Sequence, residues 1–225
     1  MISIIIPALN ESKVLAKTLQ QFINQNIVHE IIVVDGGSQD ATCKIAEDHQ
    51  ATTQLIHSNK GRANQMNAGA KQANGDWLLF LHADTQLPAQ ALNKIETLHQ
   101  HILAGGFQHR FSGNKWSLKL ISLIDNFRCK RTGIIYGDQA IFIRRALFEN
   151  IGGFPQRNIL EDVYFCIEVN KHTKTHLMND YVVTDSRKFT QIGVWRCFYH
   201  LTVILTRIRF GLPVEDNYPF FKDVR

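Results

Sequence analysis

The chain has little of what marks a secreted, zinc-stapled or membrane-spanning protein. Its four cysteines, Cys43, Cys129, Cys166 and Cys197, lie far apart and form no Cys-x-x-Cys pair or Cys/His cluster. That argues against a disulfide framework or a structural zinc site and for a reducing compartment. No apolar run approaches the roughly 18 or more residues of a membrane span. Neither Gly-x-x-x-x-Gly-Lys-Ser/Thr nor Gly-x-Gly-x-x-Gly occurs, which counts against phosphate-loop NTPases and dinucleotide dehydrogenases. A Gly-x-Ser-x-Gly nucleophile elbow is missing too. Low-complexity linkers and internal repeats are absent. The opening Ile2-Ser3-Ile4-Ile5-Ile6 has no basic stretch or small-residue cleavage site, so it reads as a first strand and not a signal peptide.

What is present is an ordinary globular composition: 225 residues, 44% hydrophobic and 20% charged. The formal charge of +5 is local. Arg187, Lys188, Arg196, Arg207 and Arg209 fall between Ser186 and Leu212 with no acid among them. Without those five, 20 basic residues face 20 acidic ones. A local excess suits a diphosphate or an anionic surface better than a nucleic-acid groove, and no nucleic-acid partner is expected.

Apolar runs at Ile2–Ile6, Ile31–Val34, Leu55–Ile56 and Trp77–Leu81 read as strands buried on both faces. Helical periodicity fills the gaps: residues 11–22 with Asn10 as N-cap, a helix led by Asp40, one opening at Lys60-Gly61-Arg62, and one from Pro88. This alternation predicts an α/β fold, a doubly wound and mostly parallel sheet with flanking helices. Beyond residue 100 the pattern predicts a strand at 105–111, a helix at 115–127, a basic loop at Arg128–Arg131, a strand at 139–143 and a helix from Asn158 to about Asn170. In that last helix Asn158 reads as N-cap and Glu161 as its capping-box partner.

Ligands in such sheets sit at the carboxyl ends of the strands. Glu11, Asp35 and Asp84 follow the first, second and fourth strands, so they should share one rim, with Lys60 and Arg62 joining from the loop after the third. Carboxylates for a base or ribose, cations for phosphates and a carboxylate for a hard cation are what a nucleoside diphosphate needs. Each residue also has a plainer reading, as a helix-end complement, a turn cap or a solvated charge.

Five motifs then stand in order: Pro7-Ala8-Leu9-Asn10-Glu11, Asp35-Gly36-Gly37-Ser38-Gln39-Asp40, Gly61-Arg62-Ala63-Asn64-Gln65-Met66-Asn67, Leu81-His82-Ala83-Asp84-Thr85 and Glu161-Asp162. As a set over about residues 2–190 they resemble family 2 glycosyltransferases of the GT-A fold. The Leu81–Thr85 form is similar to a compact bacterial-type subgroup. The resemblance implies a transferase domain at 1–190 and a helix and tail at 191–225. It implies that Pro7, Asn10, Glu11 and Asp35 line a nucleoside pocket, usually for uracil, and that Lys60, Arg62, His82, Arg187 and Lys188 serve the rest of the donor. Asp84 would hold Mg²⁺ or Mn²⁺, and Asp162 would be the base of an inverting, hexosyltransferase-like reaction. His82 stands where the family has the first aspartate of Asp-x-Asp. That departure keeps open a second reading, a nucleotide-sugar-binding protein with little or no turnover. The Gln-x-x-Arg-Trp of processive synthases is absent, which argues for transfer of one sugar.

Residues 194–209 predict an amphipathic helix, with Val194, Phe198, Leu201, Leu205 and Ile208 on one face and Arg196, His200 and Arg207 opposite. It either packs on the sheet or lies on an anionic membrane surface. The second alternative goes with a lipid-linked acceptor and a cytoplasmic protein peripheral to the inner face of the membrane.

Overall fold

A computed structural model describes residues 1–113, 115–186, 193–212 and Val214. Strands β1 (Ile2–Ala8), β2 (His29–Asp35), β3 (Gln54–His57) and β4 (Trp77–Phe80) run parallel, joined through α1 (Leu15–Gln20), α2 (Thr42–Asp48) and α3 (Arg62–Gln72). A two-residue β5 (Thr85–Gln86) and α4 (Ala91–Glu96) lead into the second half. There β6 (Ala104–Phe111), α5 (Trp116–Thr132), a 3-10 turn at Gly137–Gln139, β7 (Ile141–Arg144), α6 (Arg145–Asn150), α7 (Glu161–His172), β8 (His176–Thr184) and α8 (Val194–Arg209) follow. The strand order is β3-β2-β1-β4-β7-β6-β8-β5. β7 is antiparallel to both neighbours and β5 to β8, while β6 and β8 pair in parallel. The chain therefore forms the expected α/β architecture, a mostly parallel sheet with helices on both faces.

Alternation within the apolar strands builds the two cores. Ile2, Ile4 and Ile6 of β1 and Trp77 and Leu79 of β4 bury against α1, α2 and α4. Ile5, Leu78 and Phe80 point the other way, into a core closed by α3, α6 and α7. With both faces covered, no polar alternation is needed, which is why these strands read as continuous apolar runs.

Several boundaries differ from expectation. Strand β1 runs through Pro7 to Ala8, because its pairing with β4 ends at Ile5 and Pro7 faces a ladder only on the β2 side. α1 starts at Leu15, not near Glu11. Asn10 is not its cap: it takes a left-handed conformation (φ 56°), and its side chain accepts from Gln39 N–H at 2.8 Å. Arg128, Lys130 and Arg131 belong to the last turns of α5 and not to a loop. α7 begins at Glu161 behind Leu160, itself left-handed at φ 60°, and no side chain caps it. The Asn158–Glu161 capping box therefore does not form, and Glu161 is buried instead. β5 and β8 were not expected. Two residues carry no period, and β8 mixes faces.

α3 approaches the sheet closely at Gly69. A methyl group there would stand 2.5 Å from Ile5 Cγ2 and 3.0 Å from Val34 Cγ2. Overpacking of this kind costs about 1–3 kcal/mol, against up to about 1 kcal/mol gained in helix propensity. Gly69→Ala should therefore lower the urea midpoint, with a net loss of about 1 kcal/mol or more. An unchanged or higher midpoint would show that α3 packs less tightly than this geometry requires.

Candidate functional site

The four parallel strands end at one rim, and the loops that leave it are knitted together. Asn10 N–H donates to Ser38 Oγ at 2.9 Å, Glu11 N–H to Thr42 Oγ1 at 2.8 Å, and Ser12 N–H to Asp40 at 3.2 Å. Asp35, at the end of β2, is buried and accepts from Gly37 N–H at 2.9 Å and Ser38 N–H at 3.1 Å. Burial alone would raise its carboxyl, yet the bonds from Ser38, Gly37 and His57 outweigh it and hold the group below the usual range. Beneath them, Gln65 of α3 donates its amide to Ala8 O and Val34 O, both at 2.8 Å. Among the described residues, the three metal-ligating side chains that converge are Asp35, Cys43 and His57, with ligand atoms within 4.8 Å of one another. Asp84 stands outside that group.

The second half of the sheet brings in more carboxylates. β7 is antiparallel to β4 with Ile141 opposite Phe80, so the Gly137–Gln139 turn arrives where β4 ends. Gly137 N–H donates to Asp162 Oδ2 at 2.7 Å. A methyl at Gly137 would lie 2.7 Å from His82 Nε2 and 3.4 Å from Asp162 Oδ2, so only glycine lets these three groups meet. Thr184, at the end of β8, faces Thr85 Oγ1 at 3.5 Å and donates to Asp138 O at 3.4 Å, which draws Asp84 and Asp138 toward each other. The loop between His82 and Asp84 is pinned by Thr18, whose hydroxyl donates to Ala83 O at 2.6 Å.

Crowded negative charge shows in the acidities. Burial and then the neighbouring Glu161 push the Asp162 carboxyl up to about 6, opposed by the Gly137 and Val163 N–H groups and by Arg62. Asp138 is also raised, by burial and by Asp162 and Asp84, against the pull of His109 and Arg62. Three of the four non-glycine residues with positive φ, Asn10, Ala140 and Leu160, flank these loops. Each such conformation costs about 1–3 kcal/mol, and strain of this sort collects at working sites.

Two groups of predicted residues thus emerge. Asn10, Glu11 and Asp35 share the knitted rim, with Pro7 buried in the strand behind them. Arg62, His82, Asp84 and Asp162 share the carboxylate cluster. Lys60 is exposed beside them, and its carbonyl accepts from Asn64. Arg187 and Lys188 lie outside the described residues. Asp138, Gly137 and Gln65 were missed as site residues. Tyr136-Gly137-Asp138-Gln139 before an apolar strand was the available signal for the first two.

The model of the family described as Glycosyl transferase family 2 matches residues 3–152. A PGL/p-HBAD biosynthesis glycosyltransferase of Mycobacterium bovis (strain BCG / Pasteur 1173P2) is 34% identical over 180 residues, covering 74% of this chain and 68% of the relative. An undecaprenyl-phosphate 4-deoxy-4-formamido-L-arabinose transferase of Proteus mirabilis (strain HI4320) is 28% identical over 155 residues, covering 64% of this chain and 48% of that protein. Among solved structures, the mannosyltransferase PcManGT from Pyrobaculum calidifontis, in complex with GDP-Man and Mn²⁺, aligns with TM-score 0.62 and 22% identity over 81% of this chain and 56% of its own. S. aureus TarS 1–349 in complex with UDP-GlcNAc aligns with TM-score 0.66 and 21% identity over 83% and 58%. The chain spans little more than half of these solved chains, which speak to the GT-A fold alone. The family match covers two thirds of the sequence, from β1 through α6, and takes in Asp35, His82, Asp84 and Asp138 but ends before Asp162: the chain belongs to glycosyl transferase family 2.

Proposed function

We propose that this nucleotide-sugar glycosyltransferase moves one sugar from a UDP-linked donor to an acceptor hydroxyl with inversion at the anomeric carbon, and that Asp162 is the base. The observation that carries this reading is the Asp162 carboxylate, set among Gly137, His82 and Arg62 at the strand ends, with its carboxyl pushed up to about 6. A base with that acidity is charged near neutral pH yet still holds a proton well once it has taken one. The acceptor oxygen attacks C1 opposite the leaving diphosphate. The C1–O bond to the acceptor forms as the bond to the diphosphate breaks, and the hydroxyl proton passes to Asp162. Asp35 and Asn10 orient the base of the donor, with Pro7 and Glu11 beside them. Lys60 and Arg62 serve the diphosphate, joined by Arg187 and Lys188 from beyond the described residues, and His82 serves the donor from beside Gly137. The Leu81–Thr85 form puts the chain in a compact subgroup with residues 1–190 as the transferase domain.

Mg²⁺ and Mn²⁺ typically take one or two carboxylates from a protein and complete their shell with phosphate oxygens and water. Asp84, half-buried and close enough to raise the Asp138 carboxyl, fits that demand. When bound, the ion would neutralise charge on the departing diphosphate. Asp84→Ala should abolish the tightening of UDP binding by Mn²⁺ in calorimetry. Unchanged Mn²⁺ dependence would remove Asp84 as the ligand.

Asp162→Asn should slow hydrolysis of a UDP-sugar panel by about 10²–10⁴-fold while UDP still binds. Wild-type rates should climb with pH through about 6, since the charged carboxylate is the working form. The sign for stability is opposite. The folded value lies above the unfolded one, so this group's contribution is full below about 4 and lost as pH rises through about 6. The variant should therefore gain in melting temperature over wild type above pH 6. A variant within a few fold of wild-type turnover would refute the role. Tight UDP binding by the wild type with no hydrolysis of any donor would favour the binding-protein reading.

The acceptor side favours a lipid surface. Trp116, Leu123 and Phe127 of α5 and Trp195 and Tyr199 of α8 are exposed, and the Trp116 and Trp195 rings lie 6.0 Å apart. Exposed Lys115, Lys119, Lys130, Arg131, Arg196 and Arg207 accompany them. α8 does pack, through buried Cys197 and Ile204, but these aromatics remain outside. Val194, Phe198 and Leu201 have side chains outside the described set. No described helix is long and apolar enough to cross a membrane. Aromatic and basic groups on one face suit a peripheral protein at the anionic inner face of a membrane. Anionic vesicles should sediment the protein at low salt and release it at high salt. Absence of binding at low salt would overturn this assignment.

A further inference from the structure

Between α5 and α8 lies a cavity of about 700 Å³, floored by β6 and closed at one side by α7. Its walls are mainly aliphatic, among them Ile121, Ile124, Ile134, Ile167, Leu205 and Ile208. That volume is within the roughly 300–1,000 Å³ of small-molecule sites. Nothing in the reaction as derived above uses it.

One end of the cavity is polar. His109 and Asp138 both line it, and His109 is only 2% exposed. His109 Nε2 stands 3.4 Å from Asp138 Oδ2, yet neither Nε2 nor Asp138 Oδ1 makes a hydrogen bond among the described residues. Buried polar atoms in that state destabilise a fold unless a ligand or water satisfies them. The same turn carries Gly137, whose N–H holds Asp162. The unsatisfied pair therefore sits where the cavity meets the carboxylate cluster. The exposed aromatics of α5 and α8 lie outside the lining but on the same two helices that wall the cavity. Ile124 both lines the cavity and is 40% exposed, so its wall continues into that outer face.

We propose that this cavity receives the apolar chain of a lipid acceptor, with the hydroxyl-bearing head of that acceptor lodged against His109 and Asp138 beside Asp162. The inference rests on the transferase reading and adds to it the acceptor class and the acceptor subsite. An acceptor with an apolar chain would reach the base without leaving the lipid layer, since the helices that carry the exposed aromatics also wall the cavity and Ile124 joins its lining to their outer face. A purely polar sugar acceptor would leave the aliphatic part of this cavity, Ile121, Ile124, Ile134, Ile167, Leu205 and Ile208, unused.

The test uses the full chain and a series of alkyl β-glucosides from hexyl to decyl, each below its critical micelle concentration, followed by calorimetry. Affinity should rise about fourfold per methylene added, the gain for full burial of each CH₂. Two substitutions that fill the cavity from α8, Thr202→Phe and Thr206→Trp, should each weaken decyl glucoside at least tenfold while melting like wild type. Affinity independent of chain length would overturn the proposal. So would undiminished binding in both folded variants, which would locate the chain on the outer aromatic face. A stable dimer by light scattering that excludes the glucoside would give the groove to a second copy and overturn it as well. Failure of the transferase reading appears elsewhere: the wild type would hydrolyse no UDP-sugar, whatever the glucosides do.

Discussion

One amide group holds the donor side of the site together. Gln65 Nε2 donates both hydrogens, one to Ala8 O at the end of β1 and one to Val34 O, one residue before the end of β2. Parallel strands diverge where their ladder stops, and the two loops that follow have no strand partner of their own. By tying Ala8 and Val34 to α3, Gln65 makes the loops leave at a set spacing. The exchange of bonds among Asn10, Ser38, Gln39 and Thr42 then becomes possible. Asp35 accepts its backbone N–H groups inside that knot, which is why a buried carboxylate stays acidic. α3 can reach so far in because Gly69 presents no side chain to Ile5 and Val34.

The other half works by the reverse principle. There the carboxylates of Asp84, Asp138 and Asp162 gather with Arg62 as the nearest opposing charge that acts on both Asp138 and Asp162. At Asp138 and Asp162 burial outweighs the opposing charges and hydrogen bonds, so these two hold their protons more tightly. One rim thus has a carboxylate kept acidic at Asp35 and weaker acids at Asp138 and Asp162. Asp35 and Asp162 each accept two backbone N–H groups, and the difference comes from the burial and the neighbouring Glu161 that act on Asp162, against the Ser38 hydroxyl and His57 that assist Asp35. The left-handed Ala140 and Leu160 bring these carboxylates into place at a cost the surrounding core absorbs.

Much of the first half was legible in the sequence. Strands buried on both faces announce themselves as apolar runs, and the glycine-flanked acids after them mark the rim. The second half was harder to read for physical reasons. β8 alternates irregularly because it is parallel to β6 with a register shift at Phe107/Gln108, and β5 is too short to show any period. The apolar stripe of α5, Trp116 to Phe127, suggests a core face by its spacing, yet those residues are exposed and the helix buries Leu118, Ile121, Asn126 and Cys129. Periodicity reveals that a helix has an apolar side but not what covers it. Asp162 was singled out by its motif, whereas the burial that raises its carboxyl, and the opposing N–H of Gly137 25 residues away, are tertiary and leave no local sequence signal. Asp138 was passed over because a lone acid in a turn has a sufficient local explanation.

The pairing of Thr85 with Thr184 has a consequence for how the protein is made. β1 to β4 close through crossovers that are complete once about the first 80 residues have emerged, and contacts of short span form fast. The short strand next to Asp84 has no partner until residue 184 leaves the ribosome. During synthesis the nucleoside rim can thus be folded while the carboxylate cluster is still open. A chain truncated before residue 184 would therefore leave the strand beside Asp84 unpaired.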